Sequence, residues 1–256
     1  MTRMLLFAIF GLFLTPTLTA QQGWEAGAWG GVSHYFGDLN TSFRLNQLGL
    51  AGGAAARYNF NNRISLRFGA AYGHVAGDDA LSNNLFERAR NLNFESDLGD
   101  FTTQLEFNFL PYIHGSKDQF FTPYLLAGFT VFYFNPTTEY QGDIYELRNL
   151  GTEGQFKGEE YTSVNAALAY GIGLKIDLSY RWSINLELSG RRLFTDYLDD
   201  VSTVYADPDD IEQLRGEVAA ALSDRSIEIP GVNSQEIGEP GRQRGNSIDN
   251  DSYALL

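Results

Sequence analysis

The sequence predicts an all-β fold, an eight-stranded antiparallel transmembrane β-barrel with long extracellular loops. No apolar run beyond the first twenty residues approaches the roughly 20 residues that a membrane-spanning helix needs. Eight segments instead alternate apolar and polar side chains along the chain, as spanning strands do. The connections between these segments alternate between short and long, which is typical of the two rims of an outer-membrane barrel.

Residues 1–20 have the pattern of an export signal peptide. Arg3 precedes an apolar run from Met4 to Leu14, which is too short to cross a bilayer as a helix. We therefore expect cleavage near Ala20 and a single barrel domain over residues 21–256 in the cell outer membrane. The chain contains no Cys, so neither a lipoprotein attachment site nor a disulfide is expected.

The predicted strands are defined by their alternation. They cover residues 24–37, 48–60, 64–75, 101–112, 121–134, 161–178 and 182–194, with a last piece that begins near Ser252. In the fourth, Phe101, Leu105 and Phe107 share one face, whereas Gln104 and Glu106 share the other. Because the chain ends at residue 256, we expect a closing strand that is truncated relative to the roughly 9–11 residues of a spanning strand.

Aromatic residues occur at both ends of the predicted strands. Amphipathic rings prefer membrane–water interfaces, so two rows of rings favour a membrane barrel over a soluble β-sandwich, which also alternates. The short-turn row contains Trp24, Tyr58, Phe60, Tyr112, Phe121, Tyr124, Tyr180 and Trp182, and the long-loop row contains Tyr35, Phe36, Phe132, Tyr133, Phe134, Tyr161, Phe194 and Tyr197.

The predicted connections assign the two rims. Residues 61–63, 113–120 and 179–181 are short turns, and residues 38–47, 76–100, 135–160 and 195–251 are long loops. We expect the short turns in the periplasm and the long loops outside. Within the acidic outer loop over residues 196–251, Asp207 and Pro208 predict the start of one short helix across the barrel mouth. The following stretch, residues 228–250, is expected to be mobile.

The inward faces of the strands predict a plug of paired charges. An eight-stranded barrel is just wide enough for side chains to fill it, and an unpaired charge there would cost several kcal/mol. We therefore favour a structural plug over an ion or proton path. The lumen set is Glu25, Arg67, Glu106, Lys175, Asp177, Glu187 and Arg191.

Composition and motifs argue against several classes of function. A net charge of −14 is unfavourable for binding nucleic acid, whose phosphates need Lys and Arg. The chain has no Gly-rich phosphate loop, no paired Cys ligands and no G-x-S-x-G turn. We therefore expect no cofactor, no metal, no small-molecule substrate and no enzymatic activity.

Two groups of residues offer chemical alternatives to a purely structural role. His34 and His74 are predicted near the outer rim, where a His with Asp78 and Ser82 could imitate a hydrolase triad. The acidic run that begins at Asp196 could bind calcium, although it lacks the spacing of a known calcium loop. An ordinary solvated loop is the preferred interpretation. The acidic run comprises Asp196, Asp199, Asp200, Asp207, Asp209 and Asp210.

Six short motifs along the chain have a distinctive sequence. The longest is R-R-L-F-T-D-Y-L-D-D-V-S-T-V-Y over residues 191–205. The others are Y-F-G-D-L-N over 35–40, R-N-L-N-F over 90–94, T-P-Y-L-L-A-G-F-T-V-F-Y-F-N-P over 122–136, G-T-E-G-Q over 151–155 and R-G-N over 244–246. These motifs resemble the PorG family, outer-membrane barrel components of the type IX secretion system of Bacteroidetes, and the resemblance covers essentially the whole chain after the signal peptide.

The resemblance implies a non-enzymatic scaffold component of a secretion complex. Such a barrel would contact outer-membrane lipid and associate with a periplasmic ring built from a lipoprotein and its partner. The alternative is a stand-alone small outer-membrane barrel for adhesion or ligand binding. The motifs place a candidate rim constellation at Tyr35, Gly37, Asp38, Thr195, Asp196, Tyr197, Asp199 and Asp200.

Overall fold

The computed structural model describes residues 23–41 and 44–256. The predicted signal peptide and its cleavage point near Ala20 lie outside the described residues. In the described part of the chain the strands are β1 Gly23–Phe36, β2 Gly49–Asn59, β3 Ile64–Asp78, β4 Asn93–Asn108, β5 Phe121–Tyr140, β6 Asp143–Glu146, β7 Val164–Ser179, β8 Trp182–Leu193 and β9 Ser252–Leu255. The helices are α1 Leu85–Arg90, α2 Pro208–Arg215, α3 Glu217–Ser223 and α4 Ser234–Ile237.

Eight of these strands form a closed ring, which confirms the predicted antiparallel barrel. The ring runs β1-β2-β3-β4-β5-β7-β8-β9 and returns to β1, with every pair antiparallel. The closing strand β9 has four residues and pairs with both β1 and β8 at the long-loop end. Strand β6 lies outside the ring as a hairpin on the upper end of β5.

The barrel is polar inside and apolar outside. Along β4, Thr102, Gln104 and Glu106 point inward and are almost fully buried, whereas Phe101 and Leu105 point outward and are more than half exposed. This distribution is the inverse of that in a water-soluble barrel. An exposed apolar band of this kind is stable only when it contacts lipid.

Strands β3, β4 and β5 extend farther beyond the apolar band than predicted. Strand β4 begins at Asn93 and β5 runs to Tyr140, so the predicted loops over 76–100 and 135–160 are partly strand. In this upper part the chemistry of the two faces is reversed, so the inward face is apolar and the outward face is charged. Phe94 and Leu98 point inward and are buried, whereas Glu95 and Asp97 are exposed. The sequence prediction looked for strands with an apolar outward face. It did not recognise this upper part as strand, because a wall that faces water instead of lipid has a polar outward face.

The main hydrophobic core lies at the barrel mouth and not in its lumen. We call it the mouth core. Its buried members are Tyr35, Leu39, Val75, Leu92, Phe94, Leu98, Phe132, Phe134, Leu147, Ala167, Leu193, Leu198, Val201, Leu222, Tyr253 and Leu255. Residues from the outer loops and upper strands therefore close the mouth.

The last outer loop contains more structure than the single predicted helix. Helices α2 and α3 are separated at Gly216, whose φ of +98° is unfavourable for residues with a Cβ. Asp207 caps α2 by accepting from the backbone N–H of Asp209 at 3.0 Å, and Pro208 is its first residue, as predicted. Of the helices in residues 23–41 and 44–256, none is long and apolar enough to cross a bilayer.

Several predicted girdle rings point into the barrel. Trp24, Tyr180 and Trp182 are exposed on the short-turn side, whereas Tyr112 and Tyr124 are buried. On the long-loop side the prediction is wrong for Tyr35, Phe132 and Phe134, which are buried in the mouth core, while Tyr133 and Phe194 are about half exposed. The physical reason is the strand pleat, which sends adjacent rings to opposite faces.

Candidate functional site

The lumen contains a cluster of ionic side chains centred on Glu106. Its carboxylate lies 2.7 Å from Nε of Arg57, 3.2 Å from Nε of Arg67 and 2.6 Å from Nζ of Lys175. Arg67 also pairs with Glu187 at 2.7 Å, and the Tyr124 hydroxyl donates to Glu187 at 2.6 Å. We call Arg57, Arg67, Glu106, Lys175 and Glu187 the lumen cluster.

The other predicted lumen residues lie at different heights. Arg191 lies nearer the mouth, where its Nε is 3.4 Å from Asp100 and the Tyr253 hydroxyl donates to the same carboxylate at 3.0 Å. At the short-turn rim, His114 lies between Glu25 and Asp177. Glu25 also pairs with Arg57 at 3.0 Å, which links the rim to the lumen cluster.

The sequence prediction missed Arg57, Asp100 and His114 as partners of the predicted lumen residues. Arg57 lies in a run of Ala and Gly where the alternation is weak, yet it is the direct register partner of Glu25 on β1. The sequence pattern predicts a loop at Asp100 and a turn at His114, where the alternation does not indicate a direction for the side chain. A signal for Arg57 existed, because an inward carboxylate on one strand requires a cation on a neighbouring strand.

The predicted rim constellation is brought together at the mouth. The Tyr35 hydroxyl donates to Asp199 and lies 3.3 Å from Asp251. At Gly37, an added Cβ would lie 1.9 Å from the Asp251 carboxylate and 2.2 Å from the Tyr35 hydroxyl, so only glycine fits. The backbone N–H of Tyr197 donates to Thr195 Oγ1 at 3.3 Å, and the Tyr197 ring stacks on Tyr161 at 4.7 Å.

Asp200 is held by a second set of contacts. It has a φ of +65°, and its carboxylate accepts from Tyr161 at 2.7 Å and from Thr152. Arg244 donates to the Asp200 carbonyl oxygen at 2.6 Å and to Glu153 at 3.2 Å. Glu153 in turn accepts from the Ser202 N–H at 2.8 Å. Arg244 is fully buried, so the expectation that residues 228–250 are mobile is wrong for this part.

A third contact set joins the first two outer loops. Arg90 binds Asp79 through both Nε and Nη2, at 2.7 and 2.8 Å, and donates to the carbonyl oxygen of Asp38 at 2.7 Å. The Asp38 carboxylate accepts from the Asn246 N–H at 2.8 Å. These hydrogen bonds therefore connect the first, second and last outer loops, which are far apart in the sequence.

The short sequence motifs converge at this mouth site. The segments over 35–40, 90–94, 151–155, 191–205 and 244–246 supply its tyrosines, carboxylates and guanidinium groups. The prediction missed the partners that complete it, although three of them, Arg90, Glu153 and Arg244, are ionic residues within these motifs. The missed residues are Asp79, Arg90, Thr152, Glu153, Tyr161, Arg244 and Asp251.

Burial dominates the electrostatics of the mouth carboxyls. It raises the pKa of Asp196 to about 7 and that of Asp200 to about 6, although Arg244 and two hydroxyl donors act against the shift at Asp200. Burial and neighbouring carboxylates raise the pKa values of Asp199 and Asp251 well above their usual range. The mouth therefore favours the protonated form of these carboxyls.

The two chemical alternatives are not supported by the geometry. The Ser82 hydroxyl donates to Glu87, Asp78 accepts from the Ala80 N–H, and His74 contacts Asp97 at 3.0 Å, so these residues do not form a triad. Within residues 23–41 and 44–256, no group of three or more His, Cys, Asp or Glu side chains is arranged to hold a metal ion.

Comparisons with known proteins show a family and likenesses to solved structures. A family model described as "Domain of unknown function (DUF6089)" matches residues 3–218. No curated protein matches the chain. Among solved structures, the chain is similar to Ail, the attachment invasion locus protein of Yersinia pestis, in complex with the heparin analogue sucrose octasulfate. The two are 13% identical with a TM-score of 0.40, over 68% of this chain and 90% of that chain.

Proposed function

We propose that this chain, which belongs to the DUF6089 family, is a non-enzymatic outer-membrane scaffold of a type IX protein secretion complex. Its partners would be outer-membrane lipid and the periplasmic ring lipoprotein with its own partner. The resemblance of the motifs over residues 35–40 and 191–205 to the PorG family supports this assignment.

One structural observation carries the proposal: the barrel is closed at two levels. The lumen cluster around Glu106 crosses the interior, and the mouth core covers the long-loop end. Such a barrel has no channel for a folded cargo protein, so a role in secretion must use its surfaces. The outer surface of the mouth and the short turns at the opposite rim are the surfaces that remain for protein contacts.

The first test is affinity capture of the full-length protein from detergent-solubilised outer membranes, followed by mass spectrometry. Recovery of a periplasmic ring lipoprotein and its partner supports the scaffold. A barrel recovered alone, together with normal cargo secretion in a deletion strain, contradicts it and favours the adhesion or ligand-binding alternative.

A photo-crosslinking pair sharpens the test by locating the contact. A crosslinker at Lys117 lies in an exposed short turn, and one at Asp143 lies on the exposed hairpin beyond the opposite rim. The proposal predicts crosslinks to the ring from position 117 and none from position 143. The reverse result is inconsistent with a scaffold that contacts the ring through its periplasmic rim.

A further inference from the structure

The Tyr35 hydroxyl lies between two buried carboxyl groups. It is within hydrogen-bond distance of Asp199 and of Asp251, and both carboxyls are almost completely inaccessible to solvent. A phenol has one proton, so it cannot donate to both carboxylates. Its oxygen also lies 3.4 Å from the donating Leu39 N–H. The arrangement is fully hydrogen-bonded only when one carboxyl carries a proton of its own.

These carboxyls have no cationic partner among the described residues: no Arg or Lys nitrogen there lies within 4 Å of Asp196, Asp199 or Asp251. The nearby guanidinium groups are engaged elsewhere, Arg244 with Glu153 and Asp200 and Arg90 with Asp79. The neighbouring charges that act most strongly on the pair are carboxyls, Asp38 and Asp196. Asp38, Glu153 and Asp249 act in turn on Asp196.

The pair joins the elements that close the mouth. Tyr35 lies near the end of β1, Asp199 follows β8, and Asp251 directly precedes β9. Asp251 accepts from the Leu198 N–H at 2.9 Å, and Asp199 accepts from the Val201 N–H at 2.9 Å. Leu198 and Val201 are buried in the mouth core, so the pair fixes the start of the last loop over the barrel.

We propose that Tyr35, Asp199 and Asp251 form a proton-dependent latch, which holds the last outer loop over the mouth when one carboxyl is protonated and releases it when both ionise. Two adjacent buried carboxylates without a cation repel each other and lose their solvation, whereas the singly protonated pair shares a hydrogen-bonded proton. Raising the pH therefore opens the mouth while the barrel wall remains paired.

Ionisation of Asp196 should destabilise the closed loop in the same way. Its carboxyl oxygens are buried, and Asp38, Glu153 and Asp249 act on it as like charges. Burial raises its pKa from 3.8 to about 7, so folding of the loop takes up protons relative to the unfolded chain. By linkage, the stability of the closed loop falls as the pH rises from the ordinary Asp value through this raised pKa.

Infrared spectroscopy of the folded wild-type protein in D₂O tests the latch without a mutation. The latch predicts a protonated-carboxyl C=O band at about pH 6 that decreases toward about pH 9. The Asp199→Asn/Asp251→Asn double variant should lose part of this band, whereas the exposed Asp118→Asn control at the other rim should keep it. A wild-type spectrum without a protonated-carboxyl band overturns the proposal.

Hydrogen exchange then tests the opening itself. After correction for intrinsic exchange, protection of the Leu198 and Val201 amides should fall at least about tenfold between about pH 6 and about pH 9. Protection of amides in the β4–β5 ladder should not change. In the double variant, which cannot ionise at the pair, the drop should be smaller than in the wild type. An equal drop in both proteins rules out the latch.

Discussion

The guanidinium of Arg244 donates a hydrogen bond of 2.6 Å to the backbone carbonyl oxygen of Asp200, a residue 44 positions away in the chain. Both residues are fully buried. Because Asp200 has left-handed backbone geometry, with a φ of +65°, it needs such external support. The two ends of the last outer loop are thereby tied together above the barrel, and the loop is a folded cover.

Substitution of Arg244 should release this cover. Arg244→Gln leaves Glu153 and Asp200 buried without their cation, a change that typically costs about 3–5 kcal/mol. We expect the last loop to become sensitive to limited proteolysis while the barrel ladder stays protected. The exposed Arg88→Gln serves as the control for loss of a positive charge, and equal protease resistance of both variants would contradict this role of Arg244.

Removing Glu106 should destabilise the lumen more than removing Glu187. Glu106 has three cations within 3.2 Å, whereas Glu187 has one cation, Arg67, within 2.7 Å. Glu106→Gln therefore leaves more uncompensated positive charge, with an expected loss of about 3–5 kcal/mol in unfolding free energy. Denaturant unfolding in detergent measures the difference.

A suitable control is Glu95→Gln, because Glu95 is on the exposed face of β4 above the apolar band. It should change the unfolding free energy by less than about 0.5 kcal/mol. An order of stability in which Glu187→Gln is worse than Glu106→Gln would refute the central place of Glu106.

Gly173 should not tolerate a methyl group. A Cβ at this position would lie 2.4 Å from the ring of the buried Tyr124, so Gly173→Ala forces the ring away from Glu187 and Lys175. We expect a loss of about 1–3 kcal/mol on overpacking. Gly99→Ala is the matched control, because a Cβ there meets no atom within 4 Å. Thermal unfolding of both variants measures the difference. Equal stability would show that the Tyr124 ring can move aside without a loss of stability.

His114 should make the short-turn rim more stable at acidic pH. Its hydrogen bond to Glu25 raises its pKa above the usual 6.5, opposed by burial and assisted by Asp177. The stabilisation is thus fully present below about pH 6.5 and is lost as the pH rises through the raised pKa. Unfolding free energies below and above that window measure the loss.

In the His114→Gln variant, this part of the pH dependence should disappear. The His74→Gln variant is the control, because His74 lies on the outer wall beside Asp97 and does not contact the lumen. An unchanged pH profile in His114→Gln would show that other groups cause the dependence.

The sequence by itself determined the barrel and the inward or outward direction of most side chains. The pleat gives every strand a period of two, so a local pattern such as the one around Glu106 fixes which side chains meet in the lumen. The number of ring strands and the order of short turns and long loops also follow from local signals. The candidate rim residues, including Tyr35 and Asp199, were found through the motifs that contain them.

Only the tertiary structure decided the partners of these residues and the closure of the mouth. Tyr35 and Asp199 are 164 residues apart, and Arg67 and Glu187 are 120 residues apart, so no local pattern determines either pair. Their contacts depend on strand register around the closed ring, which brings distant strands to the same height. The reversed chemistry of the two faces in upper β4 and the packing of the last loop also depend on the height at which the outside of the wall passes from lipid to water.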